Sequence, residues 1–556
     1  MLSEAFGSSD IPQLLRVGYD VANAIPLLQE NCGGGGVASV ASISNRMREQ
    51  APTRSKSMGK PLVQSRGGSV SESGRAHKFE RWLFLVFLLS LPLMNPWIRG
   101  DGIGYYALAR APLIEHNLDF LHDYQSGNAS FRDARIDEND APRPSFRTAT
   151  GHLDNHFTVG PAILWAPFLL TAHAGVLLAR ATGSHVAADG FSAPYRFAMA
   201  FGTALYGFLG LLLANRLASK YVDERWAFLA TISIWWSSSL PVYMYFNPSW
   251  SHAHSAFTVA LFLWYWRETR DQRSARQWCV LAVIAGLMLN VYYANVTILT
   301  VLVVEAGRQY FAAFCNVSSG DALRDVLTVK RLFVNHLLFA VIVILCLLPT
   351  FISRYVIYGS PLESGYIPLK DWSWGSPYFL AVLFSSNHGL LLWTPVVLFA
   401  IVGLVVFWWR EPHAGTPIVA AVLAFYLLIA CYPDWDGISS YGNRFFISLT
   451  APFILGLSVL LDRAAEFFRF PRVALAATSC LVACLALWNM AFLFQWGMHL
   501  VPARGPIVWT EMIRNQFFVV PREISTKLQG YLFHRANLMR QIEERDIEQM
   551  SKPPGP

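Results

Sequence analysis

Residues 81–110 read RWLFLVFLLSLPLMNPWIRGDGIGYYALAR, and the two parts of this stretch obey different physics. From Trp82 to Ile98 it carries no charge and is almost wholly apolar, long enough to cross a hydrocarbon layer of about 30 Å. The second part opens with Arg99-Gly100-Asp101-Gly102-Ile103-Gly104-Tyr105-Tyr106. Asp101 is therefore expected at a membrane–water boundary, where a carboxylate is costly unless it is used.

The rest of the chain repeats the pattern of the first part. Of its 556 residues 54% are hydrophobic, 14% aromatic and only 15% charged, a balance too apolar for an ordinary soluble domain. An all-α, polytopic membrane protein is expected. Apolar runs fall near 81–98, 196–215, 226–246, 251–266, 278–292, 295–314, 332–352, 389–409, 416–432, 445–461 and 473–496, about eleven transmembrane helices. The formal net charge is +7, but Lys and Arg gather between the apolar runs. The basicity thus reports topology, and no nucleic-acid partner is expected. The seven cysteines show neither CxxC nor Cys/His ligand spacing, so neither a disulfide framework nor a structural zinc site is indicated. Neither GxGxxG after a strand nor GxxxxGK[ST] occurs, which argues against an ATP-driven pump or a cytoplasmic nucleotide-sugar transferase.

Three regions follow. Residues 1–78 hold Gly33 to Gly36 and a Ser/Arg/Lys-rich stretch and read as a disordered cytoplasmic tail; no small-residue cleavage site marks a signal peptide. Residues 79–496 form the transmembrane domain, with a first outer loop at 99–195. Residues 497–556 read as an external appendage of one or two amphipathic helices. Arg46, Arg48, Arg54, Lys56, Lys60, Arg66, Arg75, Lys78 and Arg81 precede the first span, so the N-terminus is expected in the cytoplasm and Asp101 outside. Later basic clusters, from Arg216-Lys220-Arg225 to Arg463-Arg469-Arg472, stay inside only if Val159 to Ala179 does not cross. That run is expected to be an extracytoplasmic juxtamembrane helix, lying along or dipping into the membrane.

Within this layout a few polar groups stand out. Asp101 has a plain alternative role as a helix N-cap, but Gly100, Gly102 and Gly104 around it permit close backbone approach, which favours a functional site. Arg110 shares a helix face with Tyr106. Glu115, Asp119 and Asp123 recur at four-residue spacing and read as a solvated face. In Asp154-Asn155-His156-Phe157-Thr158-Val159-Gly160-Pro161, His156 opens the outer helix; it suits either a phosphate, which helix N-termini favour, or interfacial hydrogen bonding. In Pro248-Ser249-Trp250-Ser251-His252-Ala253-His254 the two histidines leave different helix faces, so shared metal ligation is not expected and His252 alone should face a cavity. Ser386-Asn387-His388-Gly389 and Asp434-Trp435-Asp436-Gly437 are further outward elements. Asp434 and Asp436 form a weak DxD-type metal motif, and turns are rich in Asp anyway. No cofactor is expected beyond this weak candidate for a divalent metal. Arg444 suits phosphate binding, with interfacial snorkelling as its ordinary role.

Asp101 with Tyr105 and Arg110 after the first span, Asp119 in Asn117-Leu118-Asp119, and the Asp154–Pro161 lead into a juxtamembrane helix together resemble the GT-C superfamily of polytopic glycosyltransferases, in its family 39-like branch of protein O-mannosyltransferases and aminoarabinose transferases. The similarity runs from about Arg81 to Arg276, and more loosely to Gln495. It implies a polyprenyl-phosphate-linked sugar donor reached from the bilayer, an extracytoplasmic acceptor and inverting transfer, with Asp101 as base. His156 stands where the family has a basic phosphate-binding residue, there lysine. His252 stands where the family often has an acid. The resemblance thus implies Asp101 as catalytic and Tyr105, Arg110, Asp119, His156, His252 and Arg444 as substrate-binding, in a bacterial inner membrane. A transporter or flippase of a lipid-linked glycan is the alternative, although no convincing internal repeat is found; a noncatalytic GT-C relative is another.

Overall fold

Two prolines set where the first helix stops. The computed structural model describes residues 73–271, 273–316 and 322–551; the tail expected at 1–78 lies outside these, save its last six residues. The first helix among the described residues, α1, is Ser73–Ser90, where the apolar run places one over 81–98. Pro92 sits in a single 3-10 turn, Leu91–Leu93, and Pro96 follows in chain without regular structure, because proline supplies no N–H for a helical ladder. The helix begins earlier instead, so Lys78, Glu80 and Arg81 are part of it.

Every other apolar run marked in the sequence is helical. The outer loop holds α2 (Asp101–Arg110), α3 (Leu121–Gln125), α4 (Ala129–Arg135) and α5 (Gly160–Ala181). There follow α6 (Ala193–Ala218), α7 (Glu224–Ser237), α8 (His252–Thr269), α9 (Ala275–Val291), α10 (Thr300–Asn316), α11 (Ala322–Cys346), α12 (Leu348–Tyr358), α13 (Val396–Arg410), α14 (Pro412–Cys431), α15 (Thr450–Glu466), α16 (Pro471–Gly497), α17 (Val520–Phe533) and α18 (Arg535–Ser551). Among the described residues there is no strand, only the isolated bridges Ile136–Pro142 and Arg147–Leu153. Seven helical stretches among them are long and apolar enough to cross a membrane: 160–181, 193–218, 293–315, 327–346, 412–431, 444–466 and 471–497. The remaining runs form helices that are shorter, less apolar or interrupted.

The chain divides into two compact units. The smaller one, as far as it is described, comprises residues 305–316 and 322–334 at the adjoining ends of α10 and α11. The larger one, 73–304 and 335–551, carries all that follows. Its helix ends are chemically explicable: Asp223 caps α7 by accepting from the Arg225 amide, and Ser274 with Gln277 forms a full capping box on α9, satisfying donors the first turn leaves orphaned. The cores of α13 and α15 touch through Gly403 and Gly456. A side chain on Gly403 would meet the Gly456 carbonyl at 1.9 Å, and one on Gly456 the Ala400 carbonyl at 2.2 Å, the small-residue contact by which apolar helices approach without a hydrophobic driving force. Outward faces stay apolar, with Leu398, Val402, Trp409, Leu423 and Leu487 exposed.

α5 meets the length and apolarity of a crossing, yet its contacts seat it at one end of the bundle. Gly160 abuts Asn290 and Val291 at the end of α9. Trp165 donates to Thr203 at 2.8 Å, and His173 lies 2.6 Å from the Tyr195 hydroxyl. α5 therefore runs antiparallel to α6 and meets it as far as Tyr206, 5.8 Å from Phe168, while Phe208 of α6 stacks on Phe87 of α1 at 4.5 Å. The end of the bundle where α5 begins is the one that carries Asp101.

Candidate active site

Asp101 is the first residue of α2, and the cap position falls to Gly100, whose φ is +54° and which offers no side-chain cap. Asp101 is thereby freed from capping. Its carboxylate lies 3.1 Å from the guanidinium of Arg444, with 38% of the Asp101 side chain exposed against 12% for Arg444. The carboxylate is open to approach and the guanidinium is sunk.

Close backbone packing brings the two together. At Gly102 a Cβ would stand 1.9 Å from the Ser249 hydroxyl, and at Gly104 one would stand 2.0 Å from the Phe157 ring. The glycines that looked permissive in the sequence are thus steric requirements. The Gly104 carbonyl accepts from Asn155 at 3.0 Å, and Trp250 donates to the Arg99 carbonyl at 3.1 Å. The Trp250 ring lies 4.4 Å under the Arg444 guanidinium, and Phe445 flanks it at 5.6 Å; aromatic faces attract such a cation. Arg444 Nε is buried and has no partner among the described residues. A guanidinium carries five N–H donors, so most of its capacity is unspent.

An aromatic wall encloses the pair. Ser251 donates to the Tyr105 hydroxyl at 3.0 Å; burial first, and then the negative charge of Asp101, push this phenol up to about 12. Tyr105 therefore stays protonated and can donate a hydrogen bond. Tyr366 adds a further ring to this wall, 5.9 Å from Tyr293. His252 lies among Tyr243 at 4.7 Å, Tyr292 at 6.0 Å and Trp250 at 6.1 Å, and its Nδ1 has no hydrogen-bond partner among the described residues. His254 leaves the opposite face to meet Trp165 at 5.1 Å, as the spacing required.

His156 stands one ring away, 4.3 Å from Phe157 and 4.8 Å from Tyr366. Its segment is held by Arg354 of α12, which donates to the carbonyls of Asn155, His156 and Phe157 at 2.8, 2.7 and 2.8 Å. Burial alone would raise the Asp154 carboxyl, yet His156, the Tyr358 hydroxyl at 2.5 Å and Arg135 hold it below the ordinary range.

Asp101, Tyr105, His252 and Arg444 are thus brought together, with His156 at the margin. Arg110 and Asp119 are not. α2 rises about 1.5 Å per residue, which puts Arg110 roughly 13 Å along the helix from Asp101. There Arg110 is fully buried in a two-pronged pair with Asp123, 2.6 Å at both contacts, and bonds Glu115 at 2.7 Å. This corrects the reading of Glu115, Asp119 and Asp123 as a solvated face, because Asp123 is buried and forms with Arg110 an internal strut. Asp119 is exposed and accepts from the Leu121 amide at 3.0 Å.

The other two outward elements meet each other. Asp436 accepts from Asn387 at 2.6 Å and from the Ile438 amide at 3.0 Å, while His388 lies 2.9 Å from its carbonyl. The Asp436 carboxylate is thus engaged on one oxygen by Asn387 and on the other by its own turn. Burial, and then Asp436, hold the Asp434 carboxyl above its usual range. Among the described residues no cluster of three or more His, Cys, Asp or Glu side chains is arranged to hold a metal ion. Trp250, Tyr292, Tyr366 and Arg354 were not singled out from the sequence, where aromatic residues in apolar runs look like any other core.

No protein-family model matches the chain, and no curated protein matches it. Among solved structures the chain is similar to apo ArnT from Cupriavidus metallidurans, at 13% identity and a TM-score of 0.41, over 85% of this chain and 74% of that one. It is also similar to the archaeal oligosaccharyltransferase AglB from Archaeoglobus fulgidus in complex with an inhibitory peptide and a dolichol-phosphate, at 15% identity and a TM-score of 0.41, over 76% of this chain and 55% of that one.

Proposed function

We propose that this chain is a multi-pass membrane glycosyltransferase of the GT-C type, which transfers a sugar from a polyprenyl-phosphate-linked donor to an acceptor hydroxyl on a lipid, glycan or protein at the extracytoplasmic face. The observation that carries the reading is the pairing of a half-exposed carboxylate with a buried, under-used guanidinium at 3.1 Å, inside a wall of phenols. In the reaction the acceptor oxygen attacks the anomeric carbon while Asp101 takes its proton. The bond from that carbon to the phosphate oxygen breaks, and its electron pair leaves with the phosphate. The remaining N–H donors of Arg444 bind that anion, with the imidazoles of His252 and His156 as further donors on either side. Attack from the face opposite the leaving group inverts the sugar carbon. The membrane is read as a bacterial inner membrane, with the N-terminus in the cytoplasm.

Two steps test this. Surface glycans and lipids are compared by mass spectrometry in cells with and without the protein, which identifies the transferred group; the comparison is then repeated with Asp101→Asn. Loss of a proton acceptor costs about 10²- to 10⁴-fold, so the glycan should disappear at unchanged expression. Full retention of the glycan with Asp101→Asn removes the carboxylate from the chemistry.

A further inference from the structure

The segment between α1 and Asp101 holds itself only through two short turns, Met94 amide to Leu91 carbonyl at 2.9 Å and Trp97 amide to Asn95 carbonyl at 2.8 Å. Pro92 and Pro96 leave it without a helical ladder, so its carbonyls need partners from elsewhere. They find them at the far end of the chain. Tyr531 donates to the Leu93 carbonyl at 2.7 Å; Arg535 donates to the Pro92 carbonyl at 2.8 Å and also to that of Met94.

The contacts continue along one face of α18 toward the acid. Asn95 bonds the Met539 sulfur at 3.3 Å. Asn128 accepts from the Gly100 amide at 2.9 Å and donates to Glu543 at 3.0 Å. Arg99 pairs with Asp546, which is also 2.7 Å from His499. Residues 535, 539, 543 and 546 fall on one helical stripe spanning about 16 Å, and each touches the segment or its bracing residue. On the other side Trp250 grips the Arg99 carbonyl at 3.1 Å, with its ring beneath Arg444. The two residues before Asp101 are therefore held between the site and α18.

We infer that Glu543 and Asp546 of the C-terminal helix are positioning residues, which hold the Arg99–Gly100 turn so that the Asp101 carboxylate faces Arg444. The segment read as an appendage is a clasp on the active-site loop. Asp546 is the stronger element. Burial would raise its carboxyl, but His499 and Arg99 hold it below the ordinary range, so it stays charged at neutral pH. Glu543 acts through Asn128 on the Gly100 amide, at the one position of the turn that takes positive φ.

This inference rests on the proposed function for its consequence but not for its test. Purified full-length protein is compared by amide hydrogen exchange with Asp546→Asn, Asp546→Glu and Glu543→Gln. Exchange over residues 99–106 should rise about tenfold in Asp546→Asn and severalfold in Glu543→Gln. Peptides from α13 and from the middle of α8 should stay at wild-type rates, and Asp546→Glu should restore most of the protection. Wild-type exchange over 99–106 in both Asp546→Asn and Glu543→Gln overturns the clasp, and so does an equal rise across all peptides. Because no substrate enters the measurement, that failure would leave the transferase reading standing. A selective rise in a protein whose loss changes no glycan would keep the clasp and remove the transferase.

Discussion

Adding one methyl group at Gly102 should disable the site without touching any charged residue. The Cβ of Gly102→Ala would stand 1.9 Å from the Ser249 hydroxyl oxygen and 2.6 Å from its Cβ, and the next obstacle is the Ser249 carbonyl carbon at 3.2 Å. Ser249 is fully buried and its side chain is short, so relief must come from movement of α2 or of the Pro248–Ser251 turn. Overpacking of this kind costs about 1–3 kcal/mol or more. The displaced element carries Asp101 on one side and Trp250, the platform under Arg444, on the other. A shift of about 1 Å in such a pair costs on the order of 10²-fold in rate. Removing the obstructing side chain should repair this. In Gly102→Ala/Ser249→Gly the nearest atom is the carbonyl carbon at 3.2 Å, a contact that small adjustments absorb. The assay is cellular glycan transfer together with thermal stability of the detergent-purified protein, for wild type, both single variants and the double. The double variant should recover at least half of what Gly102→Ala loses, a coupling of about 1–3 kcal/mol. Wild-type behaviour of Gly102→Ala, or no recovery in the double variant, would refute the claim that steric contact at this glycine sets the acid–guanidinium geometry.

Two further outcomes separate the strut from the site. Asp123→Ala removes the two-pronged partner of Arg110 and leaves this buried cation with Glu115 as its remaining counter-charge, which should cost up to about 3–5 kcal/mol of stability, read as a lowered thermal midpoint, while transfer per folded molecule stays near wild type; a selective loss of transfer at normal stability would return Arg110 to the site. Glu115 is held down to about 2, chiefly by its hydrogen bond from Arg110 and despite the opposing effect of burial. A carboxyl lowered on folding contributes stability that is present above about 4.5 and lost as pH falls toward 2. Thermal midpoints of the wild type should therefore drop between those values more steeply than those of Glu115→Gln, by at most about 3 kcal/mol and less after solvent screening; parallel acid limbs would show that this pair does not couple to folding.

Much of the helical layout was legible because it depends on local sequence. Apolar runs near membrane thickness became helices, and the separate faces of His252 and His254 followed from helix geometry alone. The misplacements also have local causes. The first helix was set too late because its apolar run continues through Pro92 and Pro96, while the helix stops before them. Arg110 looked like a site residue because it follows Tyr105 on the same helix, but ten residues of helix carry it away from Asp101 toward a buried partner. Asp123 looked solvated because spacing reports only which residues share a face, not what that face packs against.

By itself the sequence determined the all-helical, apolar architecture, the position of Asp101 just past the first helix and the presence of Arg444 at the head of a late one, since hydrophobic periodicity and chain-local chemistry suffice for these. Only the tertiary structure decided that these two residues, 343 positions apart in the chain, stand 3.1 Å from each other, and that the last helix braces the turn before the acid. The physical reason is that such pairings depend on which helix ends gather at one end of the bundle. That arrangement is set by close packing at points such as Gly102 on Ser249 and Gly403 on Gly456, and no single stretch of chain encodes it.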